Sequence, residues 1–243
     1  MNLLEVIKNS FPGLRVKAVG PDLELEVSSV SLYDVLKILK KEQGFILLLD
    51  IIGVDYLQYK SETKSKRYSV IYHLLHMEAH TRLRVKVDLI ENESIPSIVE
   101  LWSAATWAEQ EVAEMYGIEF EQHITKKLLT PTSLDGFVLR KDWKPASSTR
   151  RQEFSNIDFP WLSNISDDER LCRKIVDLVP SNPAIQGTFV VKAEVLGTIV
   201  KRARVEIGLQ HRGVEKICEN KLFGQIIPFA ERLNYSSPMI GAI

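Results

Sequence analysis

The sequence predicts an α+β protein, a mostly antiparallel sheet with helices on one face, followed by a linker and a small β-hairpin-plus-helix unit. Two observations carry this. Segments with period-two alternation precede segments with helical spacing in the first half, and a second strand pair followed by helices begins after a long polar break.

The elements follow in order. Leu3–Phe11 has apolar residues at helical spacing and stops at Pro12-Gly13. Leu14–Val19 and Leu23–Val27 alternate as half-buried strands do. Ser31 is placed to cap a helix from Leu32 to about Gln43, with Gly44 closing it. Phe45–Asp55 reads as a buried strand, and Tyr68–His76 and Leu83–Leu89 as strands of period two, with Lys60–Lys66 as an exposed hairpin loop. Ser97–Trp102 and Ala104–Tyr116 read as helical, with Gly117 as the stop. Ser147–Asn156 and Ser163–Asp168 are polar and read as linker, ending in a short helix from Asp168 to about Val176. Thr188–Val195 and Thr198–Ile207 form a hairpin around Leu196-Gly197, and helices run from Gly213 to about Cys218 and from Phe223 to about Leu233. The expected domains are residues 1–146, a linker at 147–175 and a small unit at 176–243, which buries too little to fold alone.

Composition excludes several classes. The formal net charge of -1 gives no long-range attraction to phosphate, so nucleic acid is not an expected partner. The two cysteines, Cys172 and Cys218, point to a reducing compartment and cannot make a four-ligand metal site. The N-terminus lacks the pattern of a signal peptide. The longest apolar stretch, Phe45–Val54, is too short to span a bilayer, so any membrane role is expected to run through partners.

Three segments are dense with unusual residues. In Trp107–His123, Trp107, Glu111 and Glu114 fall near one helix face; the plain reading is a solvated acidic side. In Leu128–Trp143, Asp135-Gly136 signals a turn and Arg140-Lys141-Asp142 sets two cations beside a carboxylate. The plain reading is a surface salt-bridge cluster worth about 0–1 kcal/mol. The third comprises Val179–Gly187, Ile207–Lys216 and Pro228–Met239.

The first two segments resemble the signature region of the C-type component of respiratory complex I, the proton-pumping NADH:quinone oxidoreductase. Trp107, Glu109, Glu111, Met115, Gly117, Ile118, Phe120 and His123 match it, as do Gly136, Leu139, Arg140, Lys141 and Asp142. Gln110, Glu114 and Phe137-Val138 depart from it. The third segment resembles the N-terminal stretch of the D-type, quinone-site component, and the C and D types occur fused in this order in some bacteria. The resemblance implies a non-redox scaffold of the peripheral arm, with Trp107, Glu109, Glu111, Gly117, His123, Arg140, Lys141 and Asp142 at subunit interfaces. It implies partners too: an iron–sulfur cluster subunit, other peripheral-arm and membrane-arm subunits, and quinone. Clusters, FMN and NADH would be bound by partner subunits and none by this chain, on the cytoplasmic side of a bacterial inner membrane.

By the same resemblance Tyr235 sits where a tyrosine hydroxyl donates to the quinone oxygen. Gln186 occupies the position of the loop histidine that contacts quinone, and Asn182 that of the loop's other histidine. Glutamine donates a hydrogen bond but does not titrate near neutral pH. Asn234 also replaces the usual Asp, so the pocket is either modified or no longer reduces quinone. Arg212, beside His211, matches an arginine near the terminal cluster, where a guanidinium raises the cluster potential; the plain alternative is an Arg212–Glu215 pair that orders a turn. The D type shares ancestry with nickel–iron hydrogenases, but Cys218 has no cysteine three residues away, which excludes that chemistry. No Gly-rich phosphate loop is present for NADH. D-type chains continue far beyond the Tyr motif, so a split or truncated coding sequence, a separate polypeptide for the remainder, or a degenerate homologue is expected. The alternatives are a scaffold or assembly protein without a working quinone site, and a component of a related complex fed by another donor.

Overall fold

The computed structural model describes residues 10–19, 22–57, 59, 66–123, 127–130, 134–144, 173–178, 189–208 and 210–242. It is α+β and divides into two compact units, residues 1–127 with 136–144, and residues 128–135 with 145–243.

The first unit runs β1 (Arg15–Val19), β2 (Asp22–Val27), α1 (Leu32–Lys41), β3 (Leu47–Asp55), β4 (Tyr68–His76), β5 (Thr81–Leu89), β6 (Ile95–Pro96), α2 (Ala105–Tyr116) and β7 (Phe120–Glu121). The five long strands form one sheet in the order β1-β2-β5-β4-β3, antiparallel except where β2 meets β5. The short β6 and β7 pair in parallel.

Alternation decides which face is buried. Val70, Tyr72 and Leu74 of β4 stand opposite Val87, Val85 and Leu83 of β5, and all six are fully buried. The other face stacks Glu24, Arg84, His73 and Asp50 across four strands instead, and the opposite charges of Glu24 and Arg84 stand side by side as cross-strand neighbours favour. Leu32, Val35, Leu36 and Leu39 of α1 and Ala105, Val112 and Ala113 of α2 pack into the same core as the buried strand face. Full burial of a leucine such as Leu36 contributes about 1.5–3 kcal/mol.

Helix α1 carries Asp34 in its first turn and Lys40 and Lys41 in its last, complementing its dipole. Beyond it, the Phe45 amide donates to the Leu39 carbonyl at 3.0 Å, turning the chain into β3. β3 is an edge strand with a bulge between Leu48 and Asp50. Gly53 lets α2 lie close against it, because a Cβ there would sit 2.5 Å from the Tyr116 ring.

Two expectations require correction. Ser97–Trp102 is not a helix: it makes a single turn, with the Leu101 and Trp102 amides donating to the Ile98 carbonyl, before α2 begins at Ala105. The short helix expected to Val176 is replaced over its described part by β8 (Arg173–Leu178), which pairs antiparallel with β9. Strand pairing to a distant segment overrides the local helical reading. The expected helix at Leu3–Phe11, most of the Lys60–Lys66 loop, and the linker to Cys172 lie almost wholly outside the described residues.

The second unit is a three-stranded antiparallel sheet in the order β10-β9-β8, with β9 at Val190–Leu196 and β10 at Ile199–Glu206. Leu196 pairs with Ile199 across the expected tight turn. Helices α3 (Val214–Cys218), α4 (Phe223–Leu233) and α5 (Pro238–Ala242) follow. No helix among the described residues is long and apolar enough to cross a membrane.

Candidate functional site

The C-like signature residues assemble into two buried polar locks in the first unit. The first is centred on Glu109, which α2 points inward with no exposed surface. Its carboxylate accepts from the Ser97 hydroxyl at 2.8 Å and from the Ile98 amide at 2.7 Å, and His123 Nδ1 lies 2.8 Å from Oε2. Three segments, the turn after β6, helix α2 and the loop after β7, are thereby tied to one side chain. His123 also lines an open groove of about 410 Å³ with Ser94, Glu119, Phe120, Glu121 and Gln122.

The second lock is centred on Asp55, at the end of β3 and fully buried in its side chain. It accepts four hydrogen bonds: the Leu57 amide and Arg67 Nε on Oδ1, and Arg67 Nη2 and the Lys141 amide on Oδ2. Burial alone pushes this carboxyl's pKa up. The Arg67 guanidinium and the two amides outweigh it and hold the pKa below the usual carboxylate range. The hydrogen bond to Asp55 in turn raises the Arg67 pKa. Arg67 also lies 2.9 Å from Asp142 and 3.2 Å from Glu91.

Arg140 completes this arrangement. Helix α2 ends at Gly117, whose φ of +71° is left-handed. The open carbonyls of the last turn are met from outside: Arg140 Nε donates to the Tyr116 carbonyl at 2.6 Å and the Leu139 amide to that of Met115 at 3.1 Å. A Cβ on Gly117 would fall 2.5 Å from the Phe137 ring and 2.7 Å from Arg140 Nη2. The Arg140-Lys141-Asp142 run is therefore more than a surface salt-bridge cluster. Each residue docks on a different anchor: the α2 terminus, Asp55 and Arg67. Asp55 and Arg67 escape the sequence reading; an aspartate ending an otherwise apolar strand is the signal that marks the first.

The remaining signature residues face outward. Trp107 is 58% exposed, an unusual burden for a tryptophan, and Glu111 is exposed on the same helix. In the second unit Tyr235 lies in the turn between α4 and α5 and is 61% exposed. The neighbouring Asn234 buries an amide oxygen that finds no hydrogen-bond partner among the described residues. Arg212 is exposed. His211 is half-buried, and its amide donates to the Gly208 carbonyl. Gln186 and Asn182 lie outside the described residues. No group of three or more His, Cys, Asp or Glu among the described residues is placed to hold a metal ion.

The two locks are built from residues that the family model of the respiratory-chain NADH dehydrogenase 30 kDa subunit spans, and that model matches residues 25–149. The chain belongs to this family. Curated relatives extend the likeness past the 30 kDa region. The C/D fusion protein of the NADH-quinone oxidoreductase of Bdellovibrio bacteriovorus is 33% identical over 252 residues, covering 98% of this chain and 43% of the relative. That of Nitrosospira multiformis is 30% identical over 264 residues, covering 96% and 43%. That of Acinetobacter baumannii is 31% identical over 226 residues, covering 86% and 38%. The chain thus spans less than half the length of these relatives. Among solved structures, a trypsin-resistant fragment of Nqo5 is 28% identical with a TM-score of 0.45, covering 50% of this chain and 95% of that one. A chain of the membrane-bound sulfane sulfur reductase, an archaeal respiratory membrane complex, shares the fold at 24% identity and a TM-score of 0.51, covering 58% and 84%. As a 30 kDa-family member, the chain places its most recognisable residues in internal polar locks, with Trp107 and Glu111 left on the outside.

Proposed function

We propose that this chain is a non-redox peripheral-arm subunit of a proton-translocating NADH:quinone oxidoreductase. It scaffolds the cluster-bearing arm through its first unit and contributes Tyr235 and Gln186 to the edge of the quinone site. Arg212 and His211 lie toward an iron–sulfur cluster held by a partner. The observation that carries this reading is the continuity of the likeness: C/D relatives align over nearly the whole chain, beyond the 30 kDa region and through the Tyr235 and Arg212 motifs. Buried polar locks suit a scaffold, since fully satisfied networks hold a surface in one shape. The exposed Trp107 supports partner docking, because large aromatic side chains are favoured anchors at interfaces. In this reading the complex stands on the cytoplasmic side of the membrane, and quinone, clusters, FMN and NADH are handled with or by other subunits.

A second reading, a scaffold or assembly protein without a working quinone site, is favoured by Asn182 and Gln186 standing where the related D-type chains carry histidines. One experiment separates the two. A tagged chain is recovered from detergent-solubilised membranes, its partners are identified by mass spectrometry, and quinone reduction is assayed. Cluster-bearing and membrane-arm subunits with quinone reductase activity support the first reading. The same partners without activity support the second, and recovery of the chain alone defeats both.

A further inference from the structure

The groove beside the Glu109 lock is built to accept hydrogen bonds. Its floor is the His123 ring, whose side chain is 11% exposed while that of Glu109 beneath it is wholly buried. A carboxylate only accepts, so His123 Nδ1 carries the proton that points at Glu109, and Nε2 of the neutral ring is left as an acceptor. Nε2 has no hydrogen-bond partner among the described residues, yet it is not cut off from solvent, because the ring lines the groove.

The walls have the same polarity. Pairing of Ile95 with Phe120 brings Ser94 beside the Glu119–His123 stretch. The Ser94 hydroxyl donates to Glu121 Oε1 at 3.0 Å, which leaves Oε2 of that carboxylate open. Glu119 and Glu121 are both exposed, and neither forms an ion pair among the described residues. No lysine or arginine lines the groove. Two carboxylates and an oriented imidazole nitrogen therefore converge on about 410 Å³ with no cation of their own.

We propose that this groove receives a lysine or arginine side chain of a partner polypeptide, with His123 Nε2 and the Glu119 and Glu121 carboxylates as its acceptors. Charge complementarity chooses the occupant, since a cationic donor forms stronger hydrogen bonds with carboxylates than a neutral one does. A metal ion is disfavoured: no three His, Cys, Asp or Glu groups among the described residues are placed to hold one. The volume lies at the small end of ligand sites and the groove is open, which suits the tip of one side chain. The inference rests on the scaffold reading for the existence of a partner, and names the chemistry by which that partner is held.

Two measurements test it. The first titrates the full chain with N-acetyl-lysine methylamide and N-acetyl-arginine methylamide, with N-acetyl-glutamine methylamide as the neutral control, and follows the His123 ring signal by NMR. A saturable shift with a cationic probe and none with the neutral one is expected. Glu119→Gln combined with Glu121→Gln weakens that binding about fivefold or more. Both side chains are exposed and glutamine keeps an acceptor for Ser94, so the unfolding midpoint stays unchanged. Glu42→Gln, at an exposed site elsewhere, leaves binding unchanged. The second measurement labels carboxylates with carbodiimide and glycine ethyl ester, in the free chain and in the complex recovered from solubilised membranes. Glu119 and Glu121 lose most of their labelling in the complex; a cross-link to a partner lysine identifies an ammonium, and protection without a cross-link identifies a guanidinium. The proposal is overturned if the cationic probes do not shift His123, if the neutral probe shifts it equally, if the double variant binds as the parent does, or if labelling is the same in complex and free chain. Equal labelling in an intact complex leaves the scaffold reading standing. Recovery of the chain alone defeats the scaffold reading and the partner with it, whatever the probes show.

Discussion

His123 Nδ1 stands 2.8 Å from Glu109 Oε2, joining a helix and a loop fourteen positions apart inside the core of the first unit. The same carboxylate receives the Ser97 hydroxyl and the Ile98 amide, so a single side chain anchors three segments. Glu109→Ala strands a buried amide and two side-chain groups and is expected to lower stability by about 3 kcal/mol. Glu109→Gln retains an acceptor oxygen for one partner and costs less. Urea unfolding followed by tryptophan fluorescence checks both. An alanine variant within about 0.5 kcal/mol of the parent, the usual range of ordinary surface substitutions, would show that this lock holds nothing.

The Asp55 lock sets a pH dependence whose sign follows from its depressed pKa. The folded-state pKa lies below the ordinary aspartate value of 3.8, so the stabilisation is fully present above that value and is lost as pH falls through the folded pKa. Asp55→Asn keeps the shape but removes the charge that Arg67 needs, and leaves an amide group facing donors. The variant is expected to be less stable by about 3 kcal/mol at neutral pH and to show a flatter loss of stability below about pH 4. Thermal unfolding midpoints measured from neutral pH downward decide it, and parallel curves for parent and variant would refute the assignment.

Gly117 serves two needs at once, a left-handed backbone and an absent Cβ. Its φ of +71° is one that asparagine also adopts at helix ends, while the space a Cβ would take is held by Phe137 and Arg140. Gly117→Ala is expected to cost about 1–2 kcal/mol. Gly117→Asn is expected to recover little of that, because its Cβ meets the same two side chains. Full recovery by asparagine in chemical denaturation would mean that the backbone angle alone matters and that Arg140 moves aside freely.

What was legible in the sequence was local. The αL stop at Gly117, the Leu196-Gly197 turn and the alternation of β4 and β5 each follow from a few neighbouring residues. The α+β class follows from their order. Two segments were misread for one reason, that distant partners decided them. Ser97–Trp102 has helical spacing, but Glu109 draws the Ser97 hydroxyl and Ile98 amide into its own network, and only one turn forms. Arg173–Leu178 takes its hydrogen bonds from β9, not from a helix of its own. The Asp55–Arg67–Asp142 lock was likewise hidden, since Lys141 reaches Asp55 across 86 positions. The family motif pointed to Glu109, His123 and Arg140 but said nothing of their packing. Glu109 is wholly enclosed by its own chain, so of the motif's helix residues Trp107 and Glu111 are the ones that face outward.

The proposed quinone role rests most heavily on Tyr235, and its hydroxyl is the group to remove. Tyr235→Phe keeps the ring and deletes only the donor, and Tyr235 lies exposed in the α4–α5 turn, so the stability of the free chain is expected to stay within about 0.5 kcal/mol of the parent. If the hydroxyl donates to a quinone oxygen as charge develops there, quinone reduction by the assembled complex falls tenfold or more, in line with the contribution of a positioned proton donor. Gln186→His is the companion change, since it restores a titratable donor at the loop position. A raised rate, with a pH profile that acquires a step near neutrality, supports a live but modified pocket. If Tyr235→Phe and Gln186→His both leave the rate and its pH profile unchanged in a complex that is otherwise active, quinone is reduced without these residues, and the scaffold reading is the one that survives.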